Sequence, residues 1–266
     1  MLGLYDLNLV SPSAFDGIDF IYGGASLSSG VSSFGGALNL SNTPRFSEHL
    51  ELGLLQVLGS YKTNHTGFDL SASNGNVFWR TKLLWDYSLN DFEYTNPRLP
   101  DSPTFVNEHA EVNQNQWIQE VGVRMNDRNH LIGRLWLQRS TRQIPSLMSI
   151  YTDTELQSRS VQSDVQQRVQ LEWNHMGTGL ESQLRAGFSS WAIDFDDQES
   201  IAQTWQGQWK TLFSLDSLTR VETLLQFMQE TGKAEAYPTN GRSGRSRGAA
   251  VVSVVRRWDA LIGEFQ

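Results

Sequence analysis

Alternation of apolar and polar residues with a period of two runs through most of this sequence. Its clearest example extends from Val77 to Asn90, where apolar or neutral residues occupy the odd positions and Arg80, Lys82 and Asp86 occupy even ones. Successive side chains of a β-strand point to opposite faces, so this pattern predicts a strand with one apolar and one polar face. A chain built from such strands must find an apolar environment for one face of its sheet.

The alternation returns at hairpin spacing and predicts about ten antiparallel strands. The segments Asn74-Gly75-Asn76 and Gly177-Thr178-Gly179 supply tight turns. Near Trp191 the alternation slips, which predicts a β-bulge. The predicted strands lie at about 50–54, 68–73, 77–90, 117–125, 131–139, 161–173, 180–188, 201–215, 218–229 and 249–258.

The lengths of the predicted connections favour a transmembrane barrel. Connections after even-numbered strands are short, whereas those after strands three, five and nine are long, at about 91–115, 143–160 and 231–247. Transmembrane barrels have short periplasmic turns and longer outer loops, and their lumen is polar. The expected fold is therefore all-β, with about ten strands of a transmembrane antiparallel β-barrel.

Composition agrees with this fold and excludes other classes. The sequence has no apolar run long enough for a transmembrane helix, and its mean hydropathy of -0.40 fits a barrel as well as a soluble protein. A net charge of -8 argues against a nucleic-acid binder. The absence of cysteine fits passage through an oxidising compartment without disulfides.

A glycine-rich stretch, Ile18 to Leu40, precedes the alternating part. Apolar runs flank a loop of glycine and serine, and this order predicts a closely packed, hairpin-like structure. The stretch resembles the end of the plug domain of TonB-dependent outer-membrane receptors. Gly24, Ser29 and Ser33 depart from the family pattern, which has Pro, Tyr and Ala there. The positions that match, identically or as close substitutes, are Ile18, Asp19, Gly23, Ser26, Gly30, Gly35, Gly36, Leu38, Asn39 and Leu40.

The resemblance implies a domain division, a location and a transport function. Residues 1–46 would be the C-terminal remnant of the plug, and residues 47–266 the N-terminal portion of the barrel. Because the plugged barrels of such receptors have about 22 strands, about ten strands would form a partial transmembrane antiparallel β-barrel. The plug motif would include Gly23, Gly24, Gly30, Gly35, Gly36 and Asn39 in a structural role. Because no signal sequence is recognisable at the start, we expect a piece of a longer receptor, with its sheet unstable alone in water.

Such receptors lie in the outer membrane of Gram-negative bacteria and take up a scarce nutrient such as a ferric siderophore or cobalamin. The implied partners are TonB, through a missing N-terminal segment, outer-membrane lipid and lipopolysaccharide, and the extracellular nutrient ligand. No enzyme is expected, since the sequence has no nucleophile elbow, phosphate-binding loop or cysteine nucleophile. The five histidines, at positions 49, 65, 109, 130 and 175, have no metal-ligand spacing.

Two charged groups are candidate sites. Asp194, Asp196, Asp197 and Glu199 form a dense set of carboxylates that either binds Ca²⁺ or is a solvated acidic loop. No other cofactor is expected. Arg242, Arg245 and Arg247 lie in a predicted outer loop, where they either meet an anionic ligand or lipopolysaccharide phosphates or belong to a flexible charged loop.

Aromatic residues divide between the lipid face and the outer loops. Tyr94, Phe105 and Tyr151 lie in long outer loops and are, by position, candidates for contact with a ligand. The ones assigned to the lipid face, as a girdle, are Trp79, Trp85, Tyr87, Trp117, Trp173, Trp205 and Trp209.

Two other functions remain open from the sequence. A porin-like or adhesin-like barrel explains the strands and loop lengths but not the glycine-rich stretch. A soluble carbohydrate-binding β-sandwich explains alternation and tryptophan, but its apolar face must be a core. Solubility without detergent distinguishes the sandwich from both membrane classes.

Overall fold

The structure, a computed structural model, describes residues 9–22, 36–97, 99–145, 159–234, 242–258 and 261–265. These residues form fifteen strands and a short 3-10 helix, Pro12–Ala14. The strands are β1 (Gly17–Tyr22), β2 (Gly36–Ser41), β3 (His49–Leu58), β4 (Asn64–Ser73), β5 (Val77–Ser88), β6 (Glu93–Thr95), β7 (Thr104–Val106), β8 (Val112–Asn126), β9 (Asn129–Gln143), β10 (Val161–Met176), β11 (Leu180–Phe195), β12 (Gln198–Ser214), β13 (Thr219–Ala234), β14 (Arg242–Trp258) and β15 (Leu261–Phe265).

Eleven of these strands form one antiparallel sheet in which neighbours in space are neighbours in sequence. Its order runs from β3, β4 and β5 to β8 and then strand by strand to β15, while β6 and β7 form a separate hairpin between β5 and β8. Within the described ranges β3 and β15 are its edges. The predicted all-β partial barrel is confirmed, since this is an up-and-down sheet with two edges.

The sheet has an apolar outer face and a polar inner face. Leu50 and Leu54 on the outer face are each 78% exposed, whereas Glu120, at 0%, and Asp164, at 1%, are buried on the inner face. This arrangement reverses that of a soluble protein, in which large apolar patches are rarely exposed. Among the described residues no helix is long and apolar enough to span a membrane.

The bulge predicted at Trp191 is wrong. β11 pairs with β10 and with β12 residue for residue, without a register shift. Trp191 belongs to the inner face, opposite Gln166, so the slip in the pattern is an aromatic residue on the polar face. The register shift that the described strands do contain lies between Arg124 and Asn126, in the β8–β9 pair.

The outer loop predicted at 231–247 is also wrong in its extent. β13 continues to Ala234 and β14 begins at Arg242, so Arg245 and Arg247 are strand residues rather than loop residues. Both face Glu230 of β13, whose carboxylate forms ion pairs with them. Because opposite charges face each other across the two strands, charged residues can form part of the paired strands here. The strand β15, an eleventh member of the sheet, was not predicted either.

The chain before the sheet forms its own hairpin. β1 and β2 pair in register from Gly17 opposite Ser41 to Tyr22 opposite Gly36. Residues 9–16, which we call the docked segment, contact the inner face of the sheet through the contacts described below. The division of the chain at residue 46 stays a prediction.

Candidate functional site

The docked segment packs a small apolar cluster against the inner wall. Ala14 is fully buried and lies with Leu84 of β5 and Ile118 of β8. The Phe15 ring meets the Trp136 ring edge to face, with 5.3 Å between centroids. These residues interrupt the polar inner face where the segment covers it.

Charged side chains attach the end of the docked segment. Arg80 Nη1 donates to Asp16 Oδ2 at 2.8 Å, and its Nη2 donates to Asp69 Oδ2 at 2.6 Å. Lys82 Nζ donates to the Ala14 carbonyl at 3.0 Å and lies 3.5 Å from Asp16 Oδ1. Burial raises the pKa of Asp16, but hydrogen bonds from Arg80 and the Thr43 N–H outweigh it, so the pKa lies below its usual value.

A second polar contact involves three side chains in the order serine, histidine, aspartate. Ser13 Oγ lies 3.0 Å from His65 Nε2, and His65 Nδ1 is paired with Asp86. His65 and Asp86 face each other across β4 and β5, whereas Ser13 comes from the docked segment. The contact therefore joins the segment to the wall, and sequence spacing gave no sign of it.

Beyond the docked segment, alternating charges cross four neighbouring strands of the inner face. Arg134 donates to Glu120 at 3.0 Å and to Glu172 at 2.8 Å. Glu172 also accepts a hydrogen bond from Arg185 Nε at 3.2 Å. The four side chains come from β8, β9, β10 and β11, so they tie these strands together on the lumen side.

A row of glutamines lies on the same face. Gln116, Gln138 and Gln166 are cross-strand neighbours on β8, β9 and β10, and each is at most 4% exposed. Gln114 and Gln138 donate to the carbonyl of Leu9 in the docked segment. Trp191 follows in the row, and its indole N–H donates to Asp164 Oδ1 at 2.9 Å.

Four aromatic rings form a continuous set beside the sheet, at the end that carries the long connections. The centroids of Tyr61 and Phe92 are 5.9 Å apart, those of Phe92 and Tyr94 6.4 Å, and those of Tyr94 and Phe105 5.9 Å. Tyr94 and Phe105 were predicted ligand contacts, and β6 and β7 place them opposite each other. Phe92 lies in the same predicted loop as Tyr94 but was not selected, and Tyr61 was missed because only the fold brings the β3–β4 loop beside these rings.

The acidic set at the β11–β12 turn is not assembled as a metal site. Asp196 Oδ1 accepts the Val161 N–H at 3.0 Å, and Asp194 Oδ1 accepts the Asp197 N–H at 3.1 Å. Hydrogen bonds from the Ser160 hydroxyl and the Val161 N–H lower the pKa of Asp196. Across the part of the chain that the structure describes, no three acidic or histidine side chains are grouped to bind a metal ion.

The remaining predicted site residues lie in β2, in β14 or outside the described residues. Gly36 and Asn39 lie in β2, and Asn39 Nδ2 donates to Asp19 Oδ2 at 3.1 Å. Arg242 begins β14, and Arg245 is paired with Glu230. Lying outside the described residues are Gly23, Gly24, Gly30, Gly35 and Tyr151.

Solved structures share this architecture, although no family model and no curated protein sequence matches the chain. The FrpB iron transporter from Neisseria meningitidis superposes with a TM-score of 0.78 at 10% identity, over 93% of this chain and 46% of its own. The siderophore receptor PirA from Pseudomonas aeruginosa superposes with a TM-score of 0.67 at 12% identity, over 90% of this chain and 40% of its own. The ferric-catecholate import receptor Fiu from E. coli K12 superposes with a TM-score of 0.64 at 10% identity, over 90% of this chain and 46% of its own.

The chain thus spans less than half of the length of each of these structures. All are TonB-dependent outer-membrane receptors, the family that the glycine-rich stretch resembles. Alternating strands, a polar inner wall and a docked segment therefore identify the chain as having the fold of part of a TonB-dependent outer-membrane receptor.

Proposed function

We propose that the chain forms part of a TonB-dependent receptor in the outer membrane of a Gram-negative bacterium. Its role is the active uptake of a scarce nutrient, and a ferric siderophore or similar metal complex is the favoured class. The names of the similar structures support this class, since they include an iron transporter, a siderophore receptor and a ferric-catecholate import receptor. Cobalamin stays a prediction that none of these three names addresses.

The observation that carries the proposal is the docked segment on the inner wall. A receptor of this kind needs a wide barrel and a separate part of the chain that closes it. The contacts of Asp16 with Arg80 and of Ser13 with His65 join residues before the sheet to residues inside it. A porin-like or adhesin-like barrel gives no reason for such a segment. A β-sandwich would cover the outer face that carries Leu50 and Leu54.

In the proposed cycle, the outer loops bind the ligand and the docked segment controls passage. Planar metal-binding groups such as catecholates can stack on the rings of Tyr61, Phe92, Tyr94 and Phe105. TonB supplies the work that separates the segment from the wall. The contacts to be broken combine polar pairs, such as that of the partly exposed Asp16 with Arg80, and a small apolar cluster around Ala14.

The test is uptake by the full-length protein in a Gram-negative host that lacks its own siderophore receptors. We expect the protein in the outer-membrane fraction and growth on ferric catecholates or hydroxamates under iron limitation, in a host with TonB and not in one without it. Replacing Phe92 and Tyr94 by alanine should reduce uptake several-fold. Phe213→Ala, at the opposite end of the sheet, should not reduce it. A soluble protein, or uptake that is independent of TonB, would contradict the proposal.

A further inference from the structure

One charged side chain on the outer face of the sheet lies farther from a strand end than the other charged side chains that the structure describes on that face. Arg139 is on β9, four residues before its end at Gln143, and alternates with the inward-facing Gln138 and Ser140. On the outer face of the eleven-stranded sheet, the other charged side chains that the structure describes lie within two residues of a strand end. They are Asp194, Glu199, Lys233 and Arg256.

Arg139 has no partner of opposite charge. It is exposed, and no hydrogen bond or ion pair joins its side chain to any residue within the described ranges. Its direct cross-strand neighbours are Asn115 on β8 and Val165 on β10. An arginine near the edge of the hydrocarbon layer without a partner of opposite charge can bind an anion there.

The surroundings of Arg139 form a groove with both apolar and polar walls. The groove has a volume of about 530 Å³, and Trp85, Trp117 and Leu137 contribute its apolar part. Asn115 and Gln167 line the same groove and add amide groups to its wall. The Asn115 amide N–H and the Trp85 indole N–H both donate to Asn113 Oδ1, which fixes these two neighbours of Arg139.

The position along β9 places Arg139 at one boundary of the apolar belt. The belt on this strand extends from Leu131 to Leu137, and the strand then leads into the long connection that begins at residue 144. Long connections mark the outer side of a transmembrane barrel. In the outer leaflet, the headgroup phosphates of the glycolipid lie at this boundary, directly above the acyl chains.

We propose that Arg139, with Asn115 and Gln167, binds a phosphate of an outer-leaflet glycolipid, and that an acyl chain of the same lipid occupies the groove beside Trp85 and Trp117. Guanidinium pairs with phosphate through charge-assisted hydrogen bonds, and the apolar walls suit a hydrocarbon chain. The proposal rests on the outer-membrane location proposed above. It assigns a lipid site to the wall, distinct from the nutrient site at the loops.

The test counts glycolipid molecules bound to the purified full-length protein by native mass spectrometry. The probe is a glucosamine glycolipid with two phosphates, added in detergent, and its enzymatically dephosphorylated form is the comparison. Arg139→Gln is compared with Arg128→Gln, which removes the same charge from the exposed turn at the other end of the β8–β9 hairpin. Arg139→Lys keeps the charge without the planar fork.

We expect Arg139→Gln to weaken binding of the phosphorylated lipid by about tenfold or more, with Arg139→Lys intermediate and Arg128→Gln unchanged. The dephosphorylated lipid should bind weakly to all variants. Equal binding by Arg139→Gln and Arg128→Gln, or equal binding of both lipids, would overturn the proposal. Displacement of the lipid by millimolar inorganic phosphate would show an anion site without lipid specificity and would also overturn it.

Membrane fractionation separates this outcome from failure of the proposed function. If the protein is absent from the outer membrane, the location is wrong and the lipid site with it. If the protein lies there and transports its nutrient, but Arg139→Gln retains the glycolipid, only the lipid site is wrong. Arg139→Gln should fold normally, because the side chain packs in no core, and heat-dependent mobility on a gel checks this.

Discussion

Asp16 and Arg80 lie 64 positions apart in the sequence, and their side chains form an ion pair of 2.8 Å on the inner face of the sheet. Arg80 simultaneously binds Asp69 of the neighbouring strand, so its guanidinium is oriented by the wall itself. The wall therefore presents an oriented cation to the docked segment. Four predictions follow from this contact and from the inner face around it.

Removal of the Asp16 carboxylate should loosen the docked segment. We expect Asp16→Asn to weaken its attachment by about 1 kcal/mol, since the carboxylate is partly exposed. Because the chain has no cysteine, the variant Pro12→Cys offers it a single site for a spin label. The mobility of that label measures the mobility of the docked segment. The label should become more mobile in the Asp16→Asn variant and stay unchanged with Asp127→Asn, in the distant β8–β9 turn. Equal mobility in all three proteins would contradict a role for the ion pair.

The same attachment should depend on pH in one direction. The pKa of Asp16 is lower in the folded protein than in the free segment, because burial, which raises it, is outweighed by the hydrogen bonds from Arg80 and Thr43. Attachment is therefore complete above the ordinary aspartate pKa and is lost as pH falls through the lowered value, below about pH 4. The label at residue 12 should gain mobility there, and Asp16→Asn should abolish this dependence. A transition near neutral pH would point to another group.

The charge network across β8 to β11 should contribute to stability of the wall. Glu172 is 6% exposed and accepts hydrogen bonds from Arg134 and Arg185. Glu172→Gln keeps its shape but leaves two cations less well paired, so we expect a loss of about 2 kcal/mol in the free energy of unfolding. Urea unfolding of the full-length protein in detergent measures this. Glu181→Gln, on an exposed position of β11, is the control and should change it by less than about 0.5 kcal/mol.

The hydrogen bond of the inward-facing Trp191 should contribute to the stability of the sheet. Trp191→Phe removes the N–H that donates to Asp164 Oδ1 at 2.9 Å, and the carboxylate is 1% exposed. We expect a destabilisation of about 1–2 kcal/mol, measured by the same urea titration. Trp205→Phe, on the outer face at 59% exposure, should have little effect. Similar losses for the two variants would mean that ring size, and not the hydrogen bond, is responsible.

Much of the sheet could be predicted from the sequence, because one face of the sheet is apolar and the other is polar. That contrast gives a strong period of two from Val77 to Ser88, and it predicts strands and turns correctly. The period fails where the inner face holds a large ring, as at Trp191. It also fails at Arg245 and Arg247, where the cross-strand ion pairs with Glu230 are visible only once β13 and β14 are paired.

The candidate sites were less predictable, since their residues meet through tertiary structure. Ser13, His65 and Asp86 lie on three separate elements, and no spacing in the sequence connects them. Tyr94 and Phe105 could be selected by their position in a long loop, whereas Tyr61 joins them from a different loop. The plug resemblance predicted a plug remnant over residues 1–46, but it gave none of the contacts that this part of the chain makes with the sheet.

The row of Gln116, Gln138 and Gln166 gives the inner face buried amide groups that can accept and donate further hydrogen bonds. Both amide atoms of Gln116, the carbonyl oxygen of Gln138 and the amide nitrogen of Gln166 are buried without a hydrogen-bond partner among the described residues. A neutral amide offers a donor and an acceptor and can exchange partners without separating opposite charges. These four atoms are therefore available to partners of either kind that lie against the wall, whereas the guanidinium of Arg80 is already held by Asp16 and Asp69.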